Sequence, residues 1–232
     1  VATGAPLSQK LGVPGEDTPG VIGAIEFLRN SRLSNSSKVG KNVVVIGGGN
    51  VATDSARLAR RLGADRVTMI CLESRETMPA YKPEIEAAEA EGIGISCGWG
   101  VKKINAQAGK ATGIDLKCCS SAFDTQGNFS PTYDESKTST VTADTVILAI
   151  GQATDISFAD ASMKAGSRIK VDVNTLETPV AGVFAGGDVG SSIRSIVQAI
   201  ASGKRAAISI DIFLNKGDKN ALVEAGISAT SM

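Results

Sequence analysis

The sequence predicts an α/β protein with a parallel sheet, and three features of its first half point to it. The run Val43–Ile46 consists only of Val and Ile, which is typical of a strand buried on both faces of a parallel sheet. Three glycines follow at once, and from Val51 the apolar residues recur with a helical period as far as Gly63. A second apolar run, Val67–Leu72, completes a strand–turn–helix–strand unit of about thirty residues.

The segments around this unit are predicted from similar patterns. A short helix is expected near Ile22–Arg29, and an acidic helix over Glu84–Glu91, with a proline in its first turn and a glycine after its end. Beyond it, short apolar segments predict a β-meander that contains a polar loop and is followed by one more buried strand. In chain order these segments are Ile93–Trp99, Val101–Asn105, Gly113–Cys118, the loop Phe123–Lys137, Thr138–Val141 and the strand Thr145–Ile150.

The two ends of the chain are expected to form a second domain around the first. The last third predicts a strand at Val183–Ala185, a Gly-Gly-Asp turn, and a long amphipathic helix beginning near Ser192. The segments Val1–Gly4 and Leu148–Gly151 both end in Ala-x-Gly and flank the strand–turn–helix–strand unit. We therefore expect a central domain inserted into an outer one, with the chain crossing between them twice.

Composition excludes several classes of function. The 232 residues include 24 Lys plus Arg and 24 Asp plus Glu, and a net charge of zero is unlike the basic surplus of nucleic-acid-binding proteins. The chain contains no histidine, which excludes a catalytic triad using His and an imidazole metal site within it. Its four cysteines form no C-x-x-C pair, so we expect neither a zinc ribbon nor a redox disulfide of that spacing.

A cytoplasmic location is expected from three observations. No apolar run approaches the ~18 residues of a membrane span, and Val1–Gly4 does not open a signal peptide. Free thiols suit a reducing compartment. Because Val1 already lies in an apolar segment, we also expect that an upstream portion of the protein is missing from this sequence.

The first group of residues with chemical meaning is Gly47–Ala52, which fits the dinucleotide-binding pattern G-x-G-x-x-A between a strand and a helix. Glycine is required where the chain turns tightly and where a pyrophosphate approaches the backbone. The free N–H groups and partial positive charge of the following helix favour the phosphates. The residues assigned to a nicotinamide dinucleotide here are Gly47, Gly48, Gly49, Asn50 and Val51.

The second group is Glu73 with Arg75, at the end of the second predicted strand. An acidic side chain roughly 20 residues after the glycine turn accepts hydrogen bonds from the ribose hydroxyls of NAD and repels the 2′-phosphate of NADP. Arg75 lies close by and leaves NADP open. The pair therefore predicts NAD(H) in preference to NADP(H).

The third group is Gly182–Asp188, a predicted strand that ends in Gly-Gly-Asp before the long helix. In this arrangement Asp188 is able to accept a hydrogen bond from a sugar-like hydroxyl, while the helix N-terminus faces a carbonyl or an electron-rich ring. An ordinary helix cap formed by Asp188 or Ser191 explains the same residues equally well. At this point both interpretations stay open.

Three segments taken together resemble the glutamate synthase small-subunit family: Val45–Asp54, Ser74–Ala80 with the acidic helix after it, and Gly182–Ala207. The resemblance implies a flavoprotein with two dinucleotide domains that passes electrons between a nicotinamide and FAD. A Rossmann-like, three-layer NAD(P)-binding domain with a β-meander is then inserted in a partial FAD-binding domain. The corresponding boundaries are 1–20 and 151–215 for the FAD-binding domain, 21–150 for the NAD(P)-binding domain, and 216–232 for a tail.

The resemblance also implies roles for residues outside the glycine turn. Asp188 would bind the ribityl chain of FAD, and the backbone of Ser195 and Ile196 would lie near the pyrimidine edge of the flavin. Gly151, on the NAD side, marks one crossing between the domains, and Thr3 with Gly4 marks the other. The residues assigned to FAD are Thr3, Gly4, Gly187, Asp188, Ser195 and Ile196.

The sequence departs from the family pattern in two places. NADP-using members typically carry Arg-Arg where Leu72-Glu73 stands here, which again favours NADH. The family's N-terminal FAD-binding segment, with its own G-x-G-x-x-G, is not in this sequence, and neither are the iron–sulfur cysteine motifs often found upstream. The FAD site is therefore expected to be incomplete in this chain.

The activity implied by the resemblance is hydride transfer between NAD(P)H and FAD, with electrons passed to or from an iron–sulfur partner. Such a transfer needs positioning and electrostatics rather than a proton-shuttling side chain, so no catalytic acid or base is assigned. A disulfide reductase resembling thioredoxin reductase is disfavoured, because the cysteine spacing it needs is missing. A dinucleotide-binding module without turnover is the alternative from a different class.

Overall fold

The structure, a computed structural model, describes residues 1–33 and 38–216. It divides into two compact units. The central unit contains Ser8–Gly151, and the outer unit contains Val1–Leu7 together with the chain from Gln152 onward. The predicted tail lies outside the described residues except for its first residue, Lys216, which ends the last helix.

Strands and helices alternate through the first half of the central unit, as the sequence predicts except at Val21–Gly23, a short strand where only a helix was expected. In chain order the elements are β1 (Leu7–Ser8), β2 (Val21–Gly23), α1 (Ala24–Leu33), β3 (Asn42–Ile46), α2 (Asn50–Arg61), β4 (Arg66–Ile70), α3 (Lys82–Ala90), β5 (Gly94–Ser96), β6 (Trp99–Gln107), β7 (Lys110–Phe123), β8 (Phe129–Thr142), β9 (Thr145–Leu148), β10 (Gln152–Ala153), β11 (Lys164–Ala165), β12 (Arg168–Ile169) and α4 (Ile196–Lys216). Short 3-10 helices cover Ala161–Met163 and Gly187–Val189.

A parallel sheet forms the middle of the central unit, with strand order β2-β9-β3-β4-β5. β3 pairs with β4 along its whole length and with β9 on its other side, so it is the central strand. Its carboxyl end therefore lies between two neighbours, and the glycine turn begins there. In an open α/β sheet this edge is where ligands bind.

The side chains of β3 enter two different cores, one on each face of the sheet. Val43 and Val45 pack against the helices, in a cluster that includes the small alanines of α2. Val44 and Ile46 pack against the antiparallel sheet β6-β7-β8, in a cluster that includes Ile114. These three layers confirm the predicted Rossmann-like α/β fold class, and burial on both faces explains why β3 is a continuous apolar run.

The polar loop predicted at Phe123–Lys137 is wrong, because most of it belongs to strand β8. β7 and β8 form a long antiparallel ribbon, joined by a tight turn in which Asp124 accepts hydrogen bonds from the backbone N–H groups of Gln126 and Asn128 at 2.8 and 2.9 Å. Every residue of β8 is exposed or half-buried. Its half-buried positions carry few aliphatic side chains, so the sequence lacks the apolar alternation that predicts a strand.

Two predicted boundaries also differ from the structure. Residues 8–20 were assigned to the outer domain, but they belong to the central unit, where their carbonyls pair with its strands. Pro14 accepts a hydrogen bond from the N–H of Ile104, and Gly20 accepts one from the N–H of Val146, at 2.9 and 2.8 Å. Ile93–Trp99 was assigned to the meander, but β5 within it pairs in parallel with β4, as the outermost strand of the main sheet.

The outer unit is smaller and has less regular structure. It contains the antiparallel pair β11–β12, an isolated bridge between Glu177 and Phe184, and a small apolar core around Ile169 and Val189. The predicted strand Val183–Ala185 is represented only by that bridge. Strands β1 and β10 form a separate two-stranded pair.

Helix α4 exposes much of its apolar surface. The side chains exposed to solvent are Ile196, Val197, Ile200, Ile208, Ile210 and Leu214. The sequence predicts amphipathicity for this helix, yet only part of its apolar face is covered within the described residues. No helix in the described part of the chain is both long and apolar enough to cross a lipid bilayer.

Candidate functional site

The glycine turn between β3 and α2 is held tightly by its surroundings. Gly47 has φ +137°, a backbone conformation that side chains other than glycine rarely adopt. A Cβ atom on Gly47 would collide with the carbonyl oxygen of Ala149, which follows β9. A Cβ on Gly48 would lie 3.1 Å from the Cβ of Cys71 and 3.0 Å from Oε2 of Glu73. Gly47 is therefore required by its backbone conformation and by the close approach of the end of β9, whereas Gly48 lies in a tight space that a side chain would enter only if its neighbours shifted.

Gly49, in contrast, is not required by the packing of the protein itself. Its φ of −93° is open to any residue, and a Cβ placed there would meet no described atom within 4 Å. Gly49 is also the N-cap of α2, so the helix has no side chain capping its first N–H groups. A side chain at this position would fill the space directly in front of the helix N-terminus. Open space and free N–H groups fit the pyrophosphate of a dinucleotide.

Glu73 lies beside this turn, three residues after the end of β4. Its Oε2 atom lies close to Gly48, as the Cβ distance shows, and its side chain is half-buried. Within residues 1–33 and 38–216 its carboxylate has no hydrogen-bond or ion-pair partner. The oxygens are thus free to accept hydrogen bonds from a ligand, which fits the predicted contact to ribose hydroxyls.

Arg75 is already paired within the protein. Its guanidinium donates a hydrogen bond to Oε2 of Glu89 on α3, with the two atoms 2.6 Å apart. A second arginine, Arg57 on α2, donates hydrogen bonds to the carboxylates of Glu84 and Glu91 at 2.8 Å each. Because these glutamates lie in α3 and at its C-terminal end, the bonds hold α3 against α2. Both side chains of the Arg75–Glu89 pair are partly exposed, so Arg75 could exchange Glu89 for a phosphate group only by giving up this ion pair.

The segment Thr77–Tyr81 closes against the glycine turn, a contribution the sequence did not predict. The N–H of Ala80 donates to the carbonyl of Gly48 at 3.0 Å, and the N–H of Tyr81 donates to Oδ1 of Asn50 at 2.8 Å. Asn50 thus joins this segment to the helix N-terminus. The sequence signal for this segment is the run Met78-Pro79-Ala80, which is separated from α3 only by its N-cap Tyr81.

Gly151 ends the central unit just beyond β9. It has φ +114°, and its carbonyl accepts a hydrogen bond from the N–H of Gln9 at 3.1 Å. The structure therefore brings the predicted nicotinamide-dinucleotide residues to the carboxyl ends of three adjacent strands. They follow β3, β4 and β9 and all lie in the central unit; they are Gly47, Gly48, Gly49, Asn50, Val51, Glu73, Arg75 and Gly151.

The residues predicted to contact FAD all lie in the outer unit. Gly187 has φ +71°, and its N–H donates to Oγ of Ser202 on α4 at 2.8 Å. This bond holds the Gly-Gly-Asp turn against the helix. Asp188 lies in the 3-10 helix Gly187–Val189 and is half-buried. Its carboxylate accepts no hydrogen bond from the described residues. An unpaired, half-buried carboxylate fits a hydroxyl-rich ligand.

The start of α4 differs from the prediction, because the helix begins at Ile196 rather than near Ser192. Ser195 is its cap: its Oγ accepts a hydrogen bond from the N–H of Gln198 at 3.2 Å. Neither Asp188 nor Ser191 caps it, which leaves Asp188 without the structural role that was its alternative explanation. Thr3 is exposed, and Gly4 has φ +67° with open space around it. Both lie inside the outer unit, and the chain passes to the central unit after Leu7 rather than at the predicted crossing Thr3-Gly4.

Comparison with known proteins agrees with this arrangement. Residues 1–203 match the family model of the pyridine nucleotide-disulphide oxidoreductases. The structure is similar to thioredoxin reductase of T. acidophilum, with a TM-score of 0.70 and 26% sequence identity over 90% of this chain and 63% of that one. This likeness agrees with the predicted α/β fold class.

Curated relatives confirm the family resemblance inferred from the motifs. The chain is 40% identical to the NADP(+)-dependent formate dehydrogenase subunit beta of Moorella thermoacetica, over 99% of this chain and 33% of that protein. It is 30% identical to the glutamate synthase [NADPH] small chain of Azospirillum brasilense, over 92% of this chain and 48% of that protein. The chain thus spans a third to a half of these relatives, and it belongs to the pyridine nucleotide-disulphide oxidoreductase family.

Proposed function

We propose that this protein is an NAD(P)H-dependent flavoprotein oxidoreductase, or the part of one that binds the nicotinamide dinucleotide. The observation that carries the proposal is the uncapped glycine turn with an unpaired carboxylate, Glu73, beside it. Free N–H groups and an open approach at Gly49 suit a pyrophosphate, and the carboxylate suits the ribose next to it. The free N–H groups and the Glu73 carboxylate lie at the same edge of the sheet.

The chain's own residues bind and orient. The N–H groups at the start of α2 would hold the pyrophosphate, Glu73 would accept hydrogen bonds from the adenosine ribose, and Asp188 would accept one from the ribityl chain of FAD. When bound, the nicotinamide and the flavin supply the hydride chemistry. Because the cofactors supply the hydride chemistry and the protein only binds and orients them, no histidine is needed, and the chain contains none.

The electron partner and location are part of the same proposal. Several relatives are named as subunits, including the formate dehydrogenase subunit beta of Moorella thermoacetica, and this supports a partner that exchanges electrons with the flavin. We place an iron–sulfur protein or subunit in that role, and the assembly in the cytoplasm. Because the chain covers only a third to a half of these relatives, residues outside this sequence would complete the FAD site.

Anaerobic titration with NADH tests the proposed activity. The full protein is expected to purify with flavin, and its flavin absorbance is expected to fall on addition of NADH, because hydride reaches the flavin. Intact mass should accompany the measurement, since a mass near 23.7 kDa would identify the chain alone. Nucleotide binding without any flavin would instead support the module without turnover. Bound flavin that neither NADH nor NADPH reduces would overturn the proposal.

Glu73 is expected to make NADH the preferred nucleotide, with a dissociation constant about tenfold below that of NADPH, or ~1.4 kcal/mol. The 2′-phosphate would lie against an unpaired carboxylate, while Arg75 is occupied by Glu89. In Glu73→Gln the preference should disappear, because NADH loses a charged acceptor and NADPH loses a repulsion. Fluorescence titration with both nucleotides measures it.

Glu76→Gln is the matched control for this experiment. Glu76 lies in the same loop, is exposed, and has its pKa lowered by a hydrogen bond from the hydroxyl of Ser74 rather than by any contact with the turn. The Glu76→Gln substitution should leave the ratio of the dissociation constants for NADH and NADPH unchanged. Both relatives described above carry NADP or NADPH in their names, so tighter binding of NADPH by the unmodified protein is the result that contradicts the assignment.

A further inference from the structure

Two thiols that are 26 residues apart in the sequence lie side by side next to the glycine turn. Cys71 follows β4 and Cys97 follows β5, and these strands pair in parallel as far as Ile70↔Ser96. The N–H of Cys71 donates to the carbonyl of Ser96 at 3.1 Å, which carries the pairing one residue further. The two Sγ atoms are 3.7 Å apart. Cysteines at matched positions on neighbouring strands fall within the Cα separation that a disulfide spans, about 4.4–6.8 Å.

The two thiols differ in access to solvent. Cys71 is 2% exposed, whereas Cys97 is half-buried and its Sγ lies 3.8 Å from Sδ of Met78. Burial, followed by the neighbouring Cys97, raises the pKa of Cys71, which disfavours its thiolate and makes it a poorer direct target for oxidants than an accessible thiol. Cys97 is the thiol that an oxidant reaches first, and Cys71 is the thiol within reach of it.

We propose that Cys71 and Cys97 are an oxidation site, a dithiol that closes to an intramolecular disulfide when the protein meets hydrogen peroxide. Peroxide first oxidises the Cys97 thiol to a sulfenic acid and leaves as one water. The Cys71 sulfur then attacks the Cys97 sulfur, the S–O bond breaks, and the thiol proton leaves with the hydroxyl as a second water. In total, two thiols lose two electrons and two protons, and peroxide is reduced to two waters.

Closing this bond would disturb the nucleotide-binding turn. The sulfur atoms must approach from 3.7 Å to about 2.05 Å, and the Cβ of Cys71 already lies 3.1 Å from where Gly48 would carry a side chain. Cys97 also contacts Met78 in the segment whose Ala80 N–H bonds to Gly48. We therefore expect the oxidised protein to bind NADH about tenfold more weakly. This consequence, unlike the disulfide itself, rests on the proposed function.

Thiol mapping tests the oxidation site directly. The reduced protein is treated with hydrogen peroxide, unreacted thiols are alkylated under denaturing conditions, and peptides are mapped by mass spectrometry. We expect the number of free thiols to fall from four to two, with one cross-linked pair containing Cys71 and Cys97. Four free thiols after treatment, a different linked pair, or sulfinic acid on Cys97 without a disulfide would each overturn the proposal.

Serine variants supply the controls. Cys97→Ser and Cys71→Ser should each abolish the cross-link, and the half-buried Cys97 makes the first variant safe for folding. Cys118→Ser, at another half-buried cysteine on β7, should form the cross-link as the unmodified protein does.

NADH titration of the reduced, oxidised and re-reduced protein then measures the coupling. Recovery of affinity after dithiothreitol supports it, and equal affinity of the mapped disulfide form and the reduced form rejects it. Absence of binding of both NADH and NADPH by the reduced protein would reject the proposed function, while the thiol map would still decide the oxidation site.

Discussion

Gly49→Asp is expected to raise the dissociation constant for the nicotinamide dinucleotide at least about 100-fold, or ~2.7 kcal/mol. The new carboxylate would fill the open space in front of α2 and compete with the pyrophosphate for the first N–H groups of the helix. Stability should not fall, since Gly49 has φ −93° and aspartate is a favoured N-cap that adds a few tenths of a kcal/mol over glycine. Nucleotide titration and urea unfolding measure the two effects.

Gly49→Asn separates charge from volume in this experiment. Asparagine has nearly the same shape and also caps helices, but it does not repel phosphate. We expect its dissociation constant to lie between those of the unmodified protein and Gly49→Asp. Unchanged binding in Gly49→Asp would mean that the pyrophosphate does not lie at this helix.

Gly47→Ala is expected to lower the free energy of unfolding by about 3 kcal/mol. Two effects add: the backbone at φ +137° is strained for alanine, and its Cβ would collide with the carbonyl oxygen of Ala149. Because β3 and β9 are hydrogen-bonded neighbours, neither strand end moves away easily. Urea unfolding followed by the fluorescence of Trp99, the chain's single tryptophan, measures this loss in the central unit.

Gly109→Ala is the matched control for the collision. Gly109 has φ +73°, so alanine is strained there too, but no described atom lies within 4 Å of its Cβ. The loss should be about 1 kcal/mol, from the backbone alone. Equal losses in the two variants would contradict the tight packing of Gly47 against β9.

Local patterns were sufficient for the segment from β3 to β4. Its strands are apolar because they are buried on both faces, its helix has a clear period, and the turn glycines are set by backbone geometry within a few residues. The same patterns failed at β8, which is polar because it is solvated. They also failed for residues 8–20, whose hydrogen-bond partners lie far along the chain on β6, β7 and β9.

In the candidate site, too, some features could be predicted from local sequence and others could not. The residue types at Gly49 and Glu73 follow from the motif and its spacing, so the sequence predicted both. Whether a charged side chain is free or paired depends on what packs beside it. Arg75 is occupied by Glu89 and Asp188 has no described partner, and neither fact is visible in the chain order.

The sequence by itself determined the α/β fold class, the glycine turn and the family, because each depends on residue type within a short stretch of chain. Only the tertiary structure decided which distant groups meet. It aligned the ends of β4 and β5, and so placed the thiols of Cys71 and Cys97 3.7 Å apart. Parallel pairing joins strands that are far apart in sequence, and their register is set by packing of the whole sheet rather than by local pattern.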